Sequence, residues 1–351
     1  MKINFSNPNF PPAKTDFEER VLSFLENWFD ASKTIEVQTS GSTGTPKLFE
    51  VEKSRMRHSA ALTCDFFDLK EGDSALLCLP VEYISGKMML VRSVEKKLTL
   101  TVAKPSVKPL ETLNEEIDFC AMSPLQVENS LDKIHFLKNL IIGGAAVSES
   151  LKNKITQTLN YSNTHSLIFE TYGMSETLSH IALKEIYPIA EDYFQVLGDV
   201  KISLDERGCL TIKAPKLTPE ILHTNDLVEI LEKENSQNAK QKFKFLGRID
   251  NVINSGGLKI FPELLESLVK KSIPNEVVFL GITDELLGQK LILVIEGQKN
   301  AEVNERLKTI IYPSKNHHPK EIIFIEKLPR IPNGKIDRRA LTQNIIDSLK
   351  K

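Results

Sequence analysis

The sequence predicts an α/β fold in two parts, and three observations carry that reading. Short apolar runs alternate with helical patterns up to about residue 196, as in a sheet with helices on its faces. From there the pattern turns β-rich, and beyond Asp250 a compact α+β alternation begins. At about 150 residues per domain, the 351 residues fit two domains.

Phe17, Val21, Leu22, Phe24, Leu25, Trp28 and Phe29 recur at helical spacing, which predicts a helix over 16–31. Thr15, with Glu18 three residues on, fits a capping box at its start. A Gly/Ser/Thr-rich loop follows, then a strand over 48–51, a helix over 52–69 and a buried strand over 75–79. Apolar runs at 98–102, 119–122, 137–142 and 166–169 read as strands, and 148–159 as a helix. In the β-rich stretch, strands are expected at 200–204, 210–212 and 227–232. The polar segment 232–242 has the composition of a linker, but strand patterns flank it at 227–230 and 243–246, so it reads as a hairpin loop. The boundary therefore falls at Asp250. After it come a helix over 262–271, strands over 276–282 and 290–296, a helix over 301–311, a strand over 321–325 and a helix over 338–349.

Composition narrows the function. Lys and Arg number 45 against 47 Asp and Glu, a net charge of −2, which argues against a nucleic-acid partner or an anionic membrane surface. Hydrophobic residues make up 41% and charged ones 26%, as in an ordinary globular protein with a substantial core. No run approaches the roughly 18 apolar residues of a membrane span. The start, Met1 to Phe5 running into Pro11-Pro12, has no apolar region of the kind a signal peptide needs. Cys64, Cys78, Cys120 and Cys209 are scattered without a Cys-x-x-Cys pair, so a cytoplasmic protein without zinc or disulfides is expected. The sequence says nothing about oligomeric state.

Residues 39–47 read Thr39-Ser40-Gly41-Ser42-Thr43-Gly44-Thr45-Pro46-Lys47. Glycines let backbone N–H groups converge, hydroxyls add donors and the lysine adds a point charge, which together suit a phosphate. A Walker A loop needs glycine before the lysine, Ser or Thr after it, and then a helix. Here Pro46 precedes, Leu48 follows and a strand comes next, so that reading fails; a flexible Ser/Gly surface loop remains the alternative. Tyr172-Gly173-Met174-Ser175-Glu176-Thr177 follows an apolar strand, and open α/β sheets bind ligands at strand carboxyl ends. The segment supplies an aromatic face, a tight turn, a hydroxyl and a carboxylate; a buried tyrosine beside a capping serine is the plainer alternative. Ile141-Ile142-Gly143-Gly144-Ala145-Ala146 is a strand ending in small residues, which lets a flat ring approach the backbone. Pro332 and Gly334 shape a tight turn presenting Lys335, with Asp337 placed to cap the next helix; a solvated basic loop is the plainer alternative.

Taken in order, these segments resemble the adenylate-forming superfamily of acyl- and aryl-CoA ligases, peptide adenylation domains and luciferases. Thr39–Lys47, by number 39–47, is similar to its phosphate loop, and 172–176 to its Tyr-Gly-x-Thr-Glu, with Ser175 where Thr is usual. His223-Thr224-Asn225-Asp226 resembles its Thr-Gly-Asp; Asn225 tolerates left-handed angles, so the expected turn survives the loss of glycine. Gly247-Arg248-Ile249-Asp250, the Ser255-Gly256-Gly257 stretch, and Pro332-Asn333-Gly334-Lys335 are similar to later motifs of the family. Pro262 and Glu263 are adjacent, so the family's Pro-x-Glu fits only loosely.

The resemblance implies a large adenylation domain of mixed sheets and covering helices (1–249) and a smaller mobile α+β domain (250–351). It implies that Thr39, Ser40, Gly41, Ser42, Thr43 and Gly44 hold phosphate, with Lys47 and Lys335 catalytic, Lys335 bridging carboxylate and phosphate oxygens. Gly144 and Ala145 would line the adenine and acyl pocket, and Tyr172 would stack on adenine. Ser175 would contact the α-phosphate, and Glu176 would be catalytic and hold Mg²⁺. Asp226 and Arg248 would bind ribose, and Asp250 would be the hinge. Ser255, Gly256, Gly257 and Lys259 would meet coenzyme A. ATP, Mg²⁺, CoA and a small carboxylic acid are the implied partners.

Leu79-Pro80-Val81-Glu82-Tyr83-Ile84-Ser85-Gly86 resembles the Pro-x-x-His-Ile-(Ser/Gly)-Gly of o-succinylbenzoate–CoA ligases of menaquinone synthesis, with Tyr83 in place of histidine. Tyr83, Ser85 and Gly86 would then face the acid. Lys87, Arg92 and Ser85 are unranked candidates for a second carboxylate, with solvated surface charges as the alternative for Lys87 and Arg92. Another acyl-CoA ligase, an acyl-AMP ligase serving a carrier protein, and a non-catalytic nucleotide-binding protein are the alternatives. Family members usually carry a further N-terminal subdomain; only 38 residues precede the loop here, so a shortened ligase is expected.

Overall fold

The computed structural model describes residues 1–7, 9–38, 48–162, 165–231, 240–330 and 336–349. In chain order the first part contains β1 (Lys2–Asn4), α1 (Asp16–Phe29), β2 (Thr34–Gln38), β3 (Leu48–Glu52), α2 (Lys53–Phe66), β4 (Ser74–Leu77), α3 (Ile84–Glu95) and β5 (Thr99–Val102). Next come β6 (Ile117–Met122), α4 (Pro124–Glu128), β7 (Leu137–Ile142), α5 (Glu149–Ser162), β8 (Leu167–Gly173), β9 (His180–Tyr187) and β10 (Phe194–Val196). The β-rich stretch adds β11 (Lys201–Leu204), β12 (Cys209–Lys213), β13 (Leu222–Leu231) and β14 (Lys242–Arg248). Beyond it lie β15 (Ile253–Ser255), β16 (Leu258–Ile260), α6 (Pro262–Lys270), β17 (Val277–Asp284), β18 (Gly288–Glu296), α7 (Ala301–Lys308), β19 (Glu321–Ile325) and α8 (Arg338–Leu349).

The α/β class is as expected. A 12-stranded sheet runs β1-β5-β4-β6-β7-β8-β9-β10-β14-β13-β12-β11, parallel from β5 to β8 and antiparallel from β8 onward. Its parallel strands are mostly apolar because both faces are covered. Ala75, Leu77, Phe119, Ala121, Ile141 and Phe169 pack with α1, α2 and α3, while Leu76, Cys120, Met122, Leu140, Ile142 and Ile168 pack with α4 and α5. Each such large side chain contributes about 1.5–3 kcal/mol when fully buried. The five strands β15 to β19 form a second sheet, in which Val277 and Phe279 face α6 and α7 while Val278, Leu280 and Ile282 face α8. Glu266 of α6 ties this unit together: it accepts from Arg338 of α8 at 2.6 Å and from the Phe279 N–H at 2.8 Å.

Several expectations need correction. The capping box of α1 is half present: Thr15 Oγ1 accepts the Glu18 N–H at 3.3 Å, but the Glu18 carboxylate accepts the Lys14 N–H instead of that of Thr15. The predicted strand at 166–169 extends through Gly173, so Tyr172 lies in β8 and does not follow it. β13 begins at Leu222, so Asn225 is in an extended strand and not in a left-handed turn; the positive-φ residues other than glycine are Asp68, Lys97 and Leu178 among those described. Helix α3 went unpredicted because buried residues surround it almost entirely, leaving no polar stripe to mark a period. The hairpin joining 227–230 to 243–246 is present, with Val228 opposite Phe245 and Ile230 opposite Phe243; residues 232–239 lie outside the described ones.

Candidate active site

Tyr172 reaches the end of β8 next to a bulge, and β13 and β14 enter the same sheet further along. An aromatic cluster holds its ring: Phe243 lies edge-on at 5.0 Å, Phe194 at 5.8 Å, and those two stack on each other. Its hydroxyl donates to Asp226 Oδ2 at 2.5 Å. Burial, and then the Asp226 carboxylate, push the Tyr172 hydroxyl above its ordinary value, so it remains a donor at neutral pH. Asp226 stands opposite Arg248 in the β13–β14 register, and Arg248 Nη1 donates to Asp226 Oδ1 at 3.0 Å. The other arm, Nη2, donates to Asp250 at 2.9 Å. Four residues separated by up to 78 positions thus meet in one hydrogen-bonded chain: Tyr172, Asp226, Arg248 and Asp250.

After β8, Ser175 and Glu176 stand on a single 3-10 turn, Ser175–Thr177, whose Thr177 hydroxyl donates to the Met174 and Ser179 carbonyls. Ser175 is half-buried and Glu176 exposed. β7 runs parallel to β8 and leads into Gly143-Gly144-Ala145. A Cβ on Gly143 would come within 2.5 Å of Thr171 Oγ1, so this glycine permits close approach, whereas Gly144 is required by its φ of +85°. Glu170, which the sequence reading missed, stabilises this loop from beneath. Its Oε1 accepts the Val147 N–H at 3.0 Å, and its Oε2 pairs with Lys184 at 3.0 Å. The missed signal was a carboxylate two residues before Tyr172, hence on the same strand face.

Tyr83 caps α3 and bridges to Gln38, the residue just before the predicted phosphate loop. Ser85 is exposed in the first turn of α3 and Gly86 is buried there. A Cβ on Gly86 would fall 2.2 Å from the Pro80 carbonyl oxygen. Gly86→Ala should therefore lower stability by about 1–3 kcal/mol, the usual cost of overpacking; an unchanged melting temperature would show that the segment yields freely. Of the unranked cations, Lys87 Nζ donates to the Glu36 carbonyl at 2.6 Å. Arg92 is 2% exposed, and among the described residues no carboxylate lies within 4.0 Å of it. Its Nη2 donates to Ser179 Oγ at 2.7 Å, while its Nε has no partner. Burial pushes its pKa down to about 10, still charged at pH 7. The neighbouring His180, bonded to Thr63 Oγ1 at 3.1 Å, is pushed well below its ordinary value by burial and then by Arg92, so it stays neutral.

Ser255, Gly256, Gly257 and Lys259 form the β15–β16 hairpin, with Ser255 opposite Leu258. Gly256 and Gly257 both have positive φ, +58° and +81°, as a two-residue hairpin turn demands. Its N-terminal glycine donates to the Leu287 carbonyl at 2.8 Å. Thr39, Ser40, Gly41, Ser42, Thr43, Gly44 and Lys47, and Lys335, lie outside the described residues.

A family model described as AMP-binding enzyme matches residues 37–203. A solved acyl-CoA synthetase (AMP-forming)/AMP-acid ligase II-like protein from Dyadobacter fermentans is 33% identical, covering 98% of this chain and 99% of its own, with a TM-score of 0.64. The chain belongs to the AMP-binding enzyme family. This AMP-binding enzyme is 27% identical, over 94% of its length, to the 2-succinylbenzoate–CoA ligase of Listeria monocytogenes, and spans 74% of that ligase. Its fold is also that of the o-succinylbenzoate CoA synthetase of Bacillus subtilis solved with ATP and magnesium, at 20% identity, 86% coverage of this chain and 68% of the other, and a TM-score of 0.68. No helix among the described residues is long and apolar enough to cross a membrane.

Among the described residues no group of three His, Cys, Asp or Glu could cage a metal. Magnesium needs no such cage, because it is typically bound by one or two carboxylates together with substrate phosphates and water. The single exposed Glu176 fits that demand.

Proposed function

We propose that this AMP-binding enzyme is an ATP-dependent acid–CoA ligase acting through an acyl-adenylate, with o-succinylbenzoate as its acid. The meeting of Tyr172, Asp226 and Arg248 at the carboxyl end of β8 carries the reading, since it presents an aromatic ring beside a carboxylate already oriented to accept hydroxyl protons. The substrate carboxylate attacks the α-phosphorus of ATP and the bond to the β-phosphate oxygen breaks, releasing pyrophosphate. Tyr172 and Gly144-Ala145 flank the base, Asp226 and Arg248 take the ribose, and Ser175 with the loop 39–47 takes the phosphates. Magnesium held at Glu176 would neutralise charge on the triphosphate. In the second step the CoA thiol loses its proton and attacks the acyl carbonyl, and AMP leaves. Residues 250–351 move as a unit about Asp250, exchanging Lys335 for the Ser255–Lys259 hairpin, by number 255–259.

Arg92 supports a dianionic acid: a buried guanidinium without a carboxylate is a costly arrangement unless a ligand supplies one. The alternative readings separate in one assay, pyrophosphate release across a panel of acids with and without CoA. Release confined to o-succinylbenzoate and followed by thioester supports the proposal; absence of release with every acid would sink it in favour of nucleotide binding alone. Asp226→Asn should raise the KM for ATP about ten- to thirtyfold, because the ribose and Arg248 lose a charged acceptor. An unchanged KM would remove Asp226 from the ribose site.

A further inference from the structure

Four residues, 249–252, connect β14, which belongs to the 12-stranded sheet, to β15, which opens the five-stranded one. Asp250 sits in the 3-10 turn Ile249–Asn251 within that connection. Its carboxylate takes three hydrogen bonds, all from residues of the large sheet. Asn225 Nδ2 lies 3.2 Å from Oδ1 and 3.1 Å from Oδ2, and Arg248 Nη2 lies 2.9 Å from Oδ2. The Asn225 amide is itself oriented, since Arg207 Nη1 donates to its Oδ1 at 3.0 Å, leaving Nδ2 to face Asp250. Arg207 is held in turn by Asp205 at 2.8 Å and by the Thr224 carbonyl at 2.8 Å. Turning the 249–252 backbone must carry Asp250 away from Asn225, whose strand is paired on both sides by β12 and β14.

We infer that Asn225 is a positioning residue, a latch that holds the connection between the two sheets in one orientation. A glycine at this place would have no side chain to reach Asp250, so the latch is a property of Asn225 itself. Because Arg248 bonds both Asp226 and Asp250, the latch shares an arginine with the proposed ribose site. Its effect on turnover rests on the ligase reading; its effect on orientation does not.

The test uses the full chain with spin labels on Tyr161→Cys in α5 and Leu286→Cys in the β17–β18 turn, residues 95% and 94% exposed. The four native cysteines are buried, so labelling is selective. Pulsed dipolar spectroscopy should give a narrow distance distribution in this background and a broader or second population with Asn225→Gly. Arg207→Ala, which frees the amide to rotate and also removes the bonds to Asp205 and the Thr224 carbonyl but leaves Asn225 Nδ2 in place, should move the distribution the same way by less. The ratio of acyl-AMP formation to thioester formation from pre-made acyl-AMP should shift about three- to tenfold in Asn225→Gly, the scale of one partly exposed hydrogen bond to a charged group. Distances that superimpose in both variants would overturn the latch, whatever the activity. Altered distances without adenylation of any acid would uphold the latch while the ligase reading fell.

Discussion

Lys335→Ala is expected to slow acyl-AMP formation about 10²- to 10³-fold while leaving thioester formation from pre-made acyl-AMP nearly intact. Negative charge accumulates on the α-phosphate oxygens as the acid attacks, and a positioned cation is worth about that factor when removed. In the second half-reaction AMP leaves from carbon, and the proposed rotation has withdrawn Lys335 by then. Rapid-quench measurement of both half-reactions checks this. Equal losses in a folded variant would deny Lys335 a role specific to adenylation.

Arg92→Met is expected to lower kcat/KM for a dianionic aromatic acid about 100-fold, the cost of removing one member of a buried charge pair. A monoanionic aryl acid should lose far less, so the ratio between the two substrates is the informative number. Stability should hold or rise, because methionine fills similar volume and removes a buried guanidinium whose Nε has no partner. Kinetics with paired acids and thermal unfolding check both halves. If the two acids lose activity alike, Arg92 does not read the second carboxylate.

The strands of the parallel sheet were legible because they are covered on both faces, which writes them as short apolar runs such as 119–122. β19 and α8 fall where the pattern put them, at Glu321–Ile325 and Arg338–Leu349. Strands β1, β2, β9, β10, β15 and β16 were missed. β15 and β16 are three residues each, too short for an alternating pattern, and it is their pairing across Gly256-Gly257 that makes them strands. Asn225 was misread because local preference favours a turn for Asn, while pairing with β12 and β14 keeps β13 extended.

By itself the sequence determined the α/β class, the order of the motifs from residue 39 to 337 and the family they point to, because these depend on short-range patterns and residue chemistry. Only the tertiary structure decided that Tyr172 donates a hydrogen bond to Asp226, that Arg248 spans two carboxylates, that Arg92 is buried without one, and that Asn225 grips Asp250. The Tyr172, Arg248 and Asn225 contacts depend on strands far apart in the chain coming into one sheet, and the burial of Arg92 on α3 packing against that sheet; both are set by packing over the whole molecule. Local periodicity does not encode them.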